Sequence, residues 1–176
     1  RVPDSAWKSD WYKDGSDTDK KWMPGDMTNL VIGQGDLLVT PLQMACVYAG
    51  VAMNGVEWTP HVLKSVVARD GSGNAVEYEP KERLTASVKD QSELDLVHSG
   101  LEGVIYEESA SQASHFTNLS VRVAGKSGTG EKAGQDEYSW FCVYAPADDP
   151  KYVVVATLEQ GGFGSATALH AVRHVL

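Results

Sequence analysis

Val123-Ala124-Gly125-Lys126-Ser127-Gly128-Thr129-Gly130-Glu131 is the stretch on which the reading of this chain turns. It opens as a strand, from Arg122 through Ala124. Its glycines then let another backbone come close. Lys126 sets a cation beside the hydroxyls of Ser127 and Thr129 and beside free backbone N–H groups. That combination receives a carboxylate or an oxyanion. A glycine-rich hairpin with an exposed lysine shares the same central residues, so the neighbouring sequence has to decide.

Two motif classes contain such a tripeptide. The phosphate-cradling loop G-x-x-x-x-G-K-[ST] ends as Gly125-Lys126-Ser127 does, but Ser120 stands where its first glycine belongs. That loop also leads into a helix, whereas residues 130–135 continue as a polar turn towards another strand-like run. The second class is the K-[ST]-G element of penicillin-recognising serine enzymes, which lies on a strand edging the active site. Lys126-Ser127-Gly128 fits it in context.

Working outward, three strands follow one another: Arg122 to Thr129, Ser139 to Tyr144, and Tyr152 to Leu158. The tight turn Pro146-Ala147-Asp148-Asp149-Pro150 makes the last two antiparallel. Gly161-Gly162-Phe163-Gly164 breaks the chain. Ser165 to Leu176 is then a helix facing inward through Ala168, Leu169, Val172 and Leu176. Upstream, Leu94, Val97, Leu101, Val104 and Ile105 recur at three and four, giving an amphipathic helix from Lys89 to Glu108. Ser87-Val88-Lys89-Asp90 reads as its capping box, with Asp for Glu, and Glu107 to Ser120 as polar loop.

Val62 to Ala68 and Ala75 to Tyr78 form a hairpin around Asp70-Gly71-Ser72-Gly73-Asn74. Thr40 as N-cap and Pro41 at the first position open a further helix. It is apolar nearly all round, which implies burial, and Asn54-Gly55 closes it. Before it, Leu30 to Gly35 ends in a Gly-Gln-Gly turn. Residues 1–29 lack periodicity and read as a loop packed through Trp7, Trp11, Tyr12 and Trp22. The expected class is α/β of the α+β kind: an antiparallel sheet flanked by helices. Residues 1–60 hold a loop and a buried helix, 61–120 a hairpin and an amphipathic helix, and 121–176 three strands and a final helix.

A length of 176 residues can bury a substantial core in one domain. The net charge of −9 argues against nucleic acid as a partner and against a polybasic membrane patch. No run of 18 apolar residues occurs, so no bilayer span is expected, and no signal peptide is read. Cys46 and Cys142 sit in apolar runs and read as small buried hydrophobes without a disulfide. Cysteine and histidine spacings offer no zinc site. His170 and His174, four apart on a helix, read as a surface pair. No metal or cofactor is expected.

From about Trp7 to Leu176 the chain resembles the C-terminal part of the transpeptidase domain of class B penicillin-binding proteins, most closely the elongation type. The blocks that carry the resemblance come in family order. They are Trp7-Lys8, Tyr12 and Trp22-Met23-Pro24-Gly25-Asp26; then Ile32-Gly33-Gln34-Gly35 and Thr40-Pro41-Leu42-Gln43-Met44. Ala124-Gly125-Lys126-Ser127-Gly128-Thr129 follows, and after it Trp140-Phe141 with Tyr144-Ala145-Pro146-Ala147. The resemblance implies the penicillin-binding-protein/β-lactamase-like fold, a five-stranded sheet flanked by helices, of which 1–176 is the C-terminal portion. Two sheet elements, the helical half, the membrane anchor and the export signal would then lie in preceding sequence. The parent would be anchored at the extracytoplasmic face of the bacterial cell membrane.

The implied reaction is acyl transfer. A serine in S-x-x-K attacks the D-Ala-D-Ala end of a peptidoglycan stem peptide, and the acyl-enzyme passes to an amine on a neighbouring stem. β-Lactam antibiotics imitate the dipeptide and stall at the acyl stage. Ser5-Ala6-Trp7-Lys8 matches S-x-x-K literally. It is set aside as nucleophile because it lies in a polar stretch read as non-helical and too close to Lys126 for the family order. By the resemblance Lys126 is catalytic, holding the substrate carboxylate and helping proton transfer. Ser127 and Thr129 offer hydroxyls to that carboxylate, Gly128 leaves room for the peptide, and the Thr129 N–H is one oxyanion donor. Gly130 lines the same strand where many relatives have alanine. Gly33-Gln34-Gly35 braces the cleft from outside, Gly161 to Gly164 gives backbone room, and Trp140 and Phe141 read as core. The segment is expected to be inactive alone. It is also expected to need its N-terminal complement, in the same or a separate chain, because half a sheet leaves an open edge. A β-lactam sensor of the same fold is the alternative, and a nucleotide-binding loop protein the remote one.

Overall fold

Residues 1–86, 90–107 and 112–176 are described by the structure, a computed structural model. The aromatic N-terminal stretch is helical rather than a loop. The Asp4 carboxylate accepts the Trp7 N–H at 2.7 Å and opens α1 (Ser5–Trp11). Ser16 and Asp19 cap one another at the start of α2 (Asp17–Lys20). Pro24 opens α3 (Pro24–Val31), where Asp26 accepts the Met23 N–H at 2.7 Å. α1 and α2 are too short to show a period, and in all three helices the caps are the signals. Side chains then tie them down. The Arg1 guanidinium lies 4.5 Å over the Trp7 ring, and Lys8 Nζ reaches Asp26 at 2.6 Å.

α4 (Pro41–Ala52) begins with the expected Thr40 cap, and Gln43 completes it by accepting the Thr40 N–H at 2.9 Å. It ends where Asn54 and Gly55 take positive φ and the Gly55 N–H reaches Gly50 O at 2.7 Å. Its burial is a correction. Gly50 and Ala52 are buried, but Leu42 and Val47 are exposed. One side packs on the sheet, and among the described residues nothing covers the other.

After α4 comes β1 (Val56–Trp58). The expected hairpin follows, shortened to β2 (Ser65–Val66) and β3 (Val76–Glu77), which pair with Ser65 opposite Glu77. β4 (Glu82–Thr85) returns to pair antiparallel with β1, Val56 opposite Thr85, a pairing too short to show in the sequence. α5 (Gln91–Tyr106) is the expected amphipathic helix. Residues 87–89 of its expected capping box lie outside the described residues. Asp90 is itself the N-cap, accepting the Ser92 N–H at 2.9 Å. Within the stretch read as polar loop stands α6 (Ala113–Phe116), whose Phe116 is buried and stacks on Phe141 with 5.9 Å between rings.

The sheet is three-stranded and antiparallel in the order β5 (Ala124–Gly130), β6 (Tyr138–Ala145), β7 (Tyr152–Leu158). Lys126 stands opposite Cys142, Gly128 opposite Trp140, and Thr129 opposite Ser139. Strand alternation divides these residues between two faces. On one face Val123, Phe141, Val143 and Ala145 pack with Ile105, Phe116 and α7 (Ala168–Val175), through Ala168, Leu169 and Val172. Each large apolar side chain buried there contributes about 1.5–3 kcal/mol. On the other face Ala124 and Tyr144 meet Ala52, Tyr48 and Leu101 from α4 and α5. A 2.6 Å hydrogen bond joins the Tyr144 hydroxyl to His98 Nδ1. Burial, with the Glu102 charge second, pushes that phenol up to about 12.

Buried Ser139 locks α7 to the sheet. Its Oγ donates to Phe163 O at 3.1 Å and accepts the Ala168 N–H at 2.9 Å. A strand residue thus satisfies one of the orphan donors at a helix start. Both cysteines are free, and burial pushes the Cys142 thiol up to about 12. Among the described residues no helix is long and apolar enough to cross a membrane.

Candidate active site

β5 pairs with β6 alone, so its other edge carries unpaired backbone groups. The side chain of Gln34, between Gly33 (φ 77) and Gly35 (φ 70), approaches that edge. Gln34 Nε2 donates to Thr129 O at 2.8 Å, and its Oε1 accepts the Glu131 N–H at 3.4 Å. In an antiparallel ladder the N–H and C=O of one residue point the same way, and alternate residues share a side. Ser127, Thr129 and Glu131 therefore turn their backbone groups outward, away from β6. The expected brace at Gly33-Gln34-Gly35 is present and touches the strand directly.

Lys126 is exposed and forms no ion pair among the described residues. Its Nζ donates to Ser127 O at 3.0 Å and lies 3.4 Å from Ser127 Oγ. The structure therefore brings the lysine and the serine hydroxyl together at the open edge. Thr129 Oγ1 is turned to the Gly164 N–H, which it accepts at 3.4 Å. A hydroxyl that accepts keeps its own proton free to donate. The Thr129 N–H is left on the open edge by the same ladder geometry.

The glycines around the strand have unequal roles. A Cβ on Gly164 would stand 2.9 Å from Gly128 N and nearer still to the carbonyl oxygens of Gly128 and Trp140. The expected backbone room at Gly161 to Gly164 is thus a close approach at Gly164, directly behind the site strand. A Cβ on Gly128 would meet Trp140 Cβ at 3.3 Å. At Gly130 it would find ordinary neighbours, Tyr138 Cβ at 3.5 Å and Trp140 Nε1 at 3.8 Å, and no positive φ. Gly130→Ala is accordingly expected to stabilise the protein by about 0.4–1 kcal/mol by restricting the unfolded chain. A thermal melt checks it; a lower Tm would show that the strand needs the glycine.

Phe141 is core, as expected, but Trp140 is not. It is half-buried and lines a cavity of about 590 Å³ with Gln34, Leu38, Gly130, Tyr138 and Thr157. Thr157 Oγ1 is buried there without a partner. The alternation Tyr138, Trp140, Cys142 against Ser139, Phe141, Val143 was the signal that separates the two aromatics.

Ser5 lies at the start of a helix after all, so the non-helical ground for setting it aside does not hold. A different ground replaces it: the lysine three residues on is held by Asp26 at 2.6 Å. An ammonium engaged in that pair is not a base for Ser5. Among the described residues no other serine stands three before a lysine at a helix start, and no cluster of three metal-ligating side chains occurs.

Residues 9–176 match the family model described as Penicillin binding protein transpeptidase domain. The Haemophilus influenzae peptidoglycan D,D-transpeptidase MrdA is 30% identical over 190 residues, covering 99% of this chain and 28% of that protein. The crystal structure of Pseudomonas aeruginosa PBP2 in complex with WCK 5153 superposes with a TM-score of 0.78 at 27% identity, covering 99% of this chain and 36% of that one. The penicillin G acyl-enzyme complex of penicillin-binding protein A from M. tuberculosis has a TM-score of 0.65 at 25% identity, covering 84% and 33%. The chain thus spans under a third of the length of that curated relative.

Proposed function

Because the chain belongs to the penicillin-binding protein transpeptidase family, we propose that it is the C-terminal part of a peptidoglycan D,D-transpeptidase domain and forms one wall of the cleft. The observation that carries this reading is the open edge of β5. It presents a cation with no acidic partner among the described residues, a neighbouring hydroxyl and an outward backbone N–H on one short run. Lys126 and Ser127 receive the terminal carboxylate of the D-Ala-D-Ala stem peptide, joined by the Thr129 hydroxyl. Gly128 and Gly130 leave the strand clear for the incoming backbone, which adds to the edge as a further strand.

The Thr129 N–H points at the carbonyl oxygen that becomes negative when a serine attacks. That serine comes from residues outside this chain, and it forms the acyl bond and releases the terminal D-alanine. An amine of a second stem then takes the acyl group. β-Lactams occupy the same edge, their carboxylate on Lys126 and Ser127, and acylate the same serine. The exposed apolar side of α4 is the face that the serine-bearing half covers. The work is done at the outer face of the cell membrane, where stem peptides are cross-linked.

The test is a penicillin adduct. Mass spectrometry of the full-length protein after incubation with penicillin G is expected to show one covalent addition, and this chain alone none. An adduct on Ser5 of the chain alone would overturn the assignment of the nucleophile. Failure of the full-length protein to acylate would overturn the reading as a whole. A β-lactam sensor would acylate yet fail to cross-link stem peptides.

A further inference from the structure

We propose that Gln34 is a positioning residue that stands in for a missing strand and holds the Thr129 N–H in its donating orientation. The inference rests on the transpeptidase reading of that N–H. Its physical basis is the softness of the segment to be held. Thr129 lies between Gly128 and Gly130, and glycine gives the backbone its widest freedom. The segment is also on the edge of its sheet, with ladder hydrogen bonds on one side only. A donor that must meet a developing charge within a few tenths of an ångström needs a fixed peptide plane.

Gln34 supplies the second side. Its primary amide copies a backbone peptide, donating to Thr129 O at 2.8 Å and accepting from the Glu131 N–H at 3.4 Å. Both groups would otherwise be bonded by a neighbouring strand. The amide is itself held in place. The Gln34 N–H reaches Asn29 O at 2.8 Å at the end of α3, and the left-handed turns at Gly33 and Gly35 fix its approach. The clamp stops one peptide short of the donor, so the edge beside Thr129 stays open for substrate.

The experiment uses the full-length protein with Gln34→Ala and Gln34→Glu. The glutamate keeps the side-chain length and the acceptor for the Glu131 N–H, but as a carboxylate it cannot donate to Thr129 O. Both variants are to be measured with penicillin G for the dissociation constant of the non-covalent complex and for the acylation rate constant. The expected result is about a tenfold slower acylation with the dissociation constant within about twofold of native, since a donor held loosely loses part of the 10²–10³ its removal would cost. Amide hydrogen exchange at Glu131 is expected to quicken in Gln34→Ala and to stay slow in Gln34→Glu. Native acylation in either variant overturns the inference and leaves the transpeptidase reading intact. So does a parallel change in binding and rate, which is what a general loosening of the cleft produces. A native protein that forms no adduct overturns the reading, and the inference with it.

Discussion

Gly164→Ala in the full-length protein is expected to lower stability by about 3 kcal/mol, at the top of the range for overpacking. The methyl group would enter a space already filled by the carbonyl oxygens of Gly128 and Trp140, with Gly128 N at 2.9 Å. These are backbone atoms of paired strands, so no rotamer change relieves the clash. Either β5 and β6 separate, or the loop before α7 lifts away from the sheet. The second route pulls the Gly164 N–H from Thr129 Oγ1 and strains the Ser139 contacts that cap α7. A thermal melt measures the loss, and penicillin acylation reports whether the site strand moved with it. A variant that melts with the native protein would mean the loop behind the strand is not packed as described.

Lys126→Met is expected to act on chemistry rather than on stability. The lysine is exposed and, among the described residues, bound only to Ser127, so little of the fold depends on it. Methionine retains the length of the stem and removes the charge. Losing one partner of a charge pair buried by substrate costs about 2–5 kcal/mol. Taking about 3 kcal/mol, acylation by penicillin falls by roughly two powers of ten, at 1.36 kcal/mol for each. Lys126→Arg keeps the charge but changes its shape and should recover part of the rate. A Lys126→Met protein that acylates at the native rate would show that the substrate carboxylate is held elsewhere.

The sheet, its two later strands and its last helix were legible because each is long enough to show a period. Alternation or an apolar run marks β6 and β7, and Leu169 and Val172 mark α7. The N-terminal helices were not, since α1 and α2 have only seven and four residues and α3, as long as α7, buries none of its side chains. Asp4, Ser16 and Pro24 were the available signs. Burial of α4 was misjudged for a different reason. Composition shows that a helix is apolar all round, but not which of its neighbours lie within the same stretch of chain. At the site, the lysine strand and the Gly-Gln-Gly brace could be read from motifs and their order. The approach of Gly164 could be read only as a general need for backbone room. Its partners lie 35 and 24 residues away, at Thr129 and Trp140, and no local pattern records such a meeting.

The seating of Gly164 against the rear of β5 has a consequence for biosynthesis. A ribosome delivers the lysine strand before it delivers the loop and helix that support that strand from behind. During that interval the strand has β6 beside it and β7 beyond that, but neither Gly164 nor α7 behind it, and the hydroxyl of Ser139 has no helix to cap. The wall proposed for the cleft is therefore completed only when Gly161 to Val175 have left the exit tunnel. A message truncated after Gln160 would encode every side chain assigned to the cleft wall and still yield a strand without its backing.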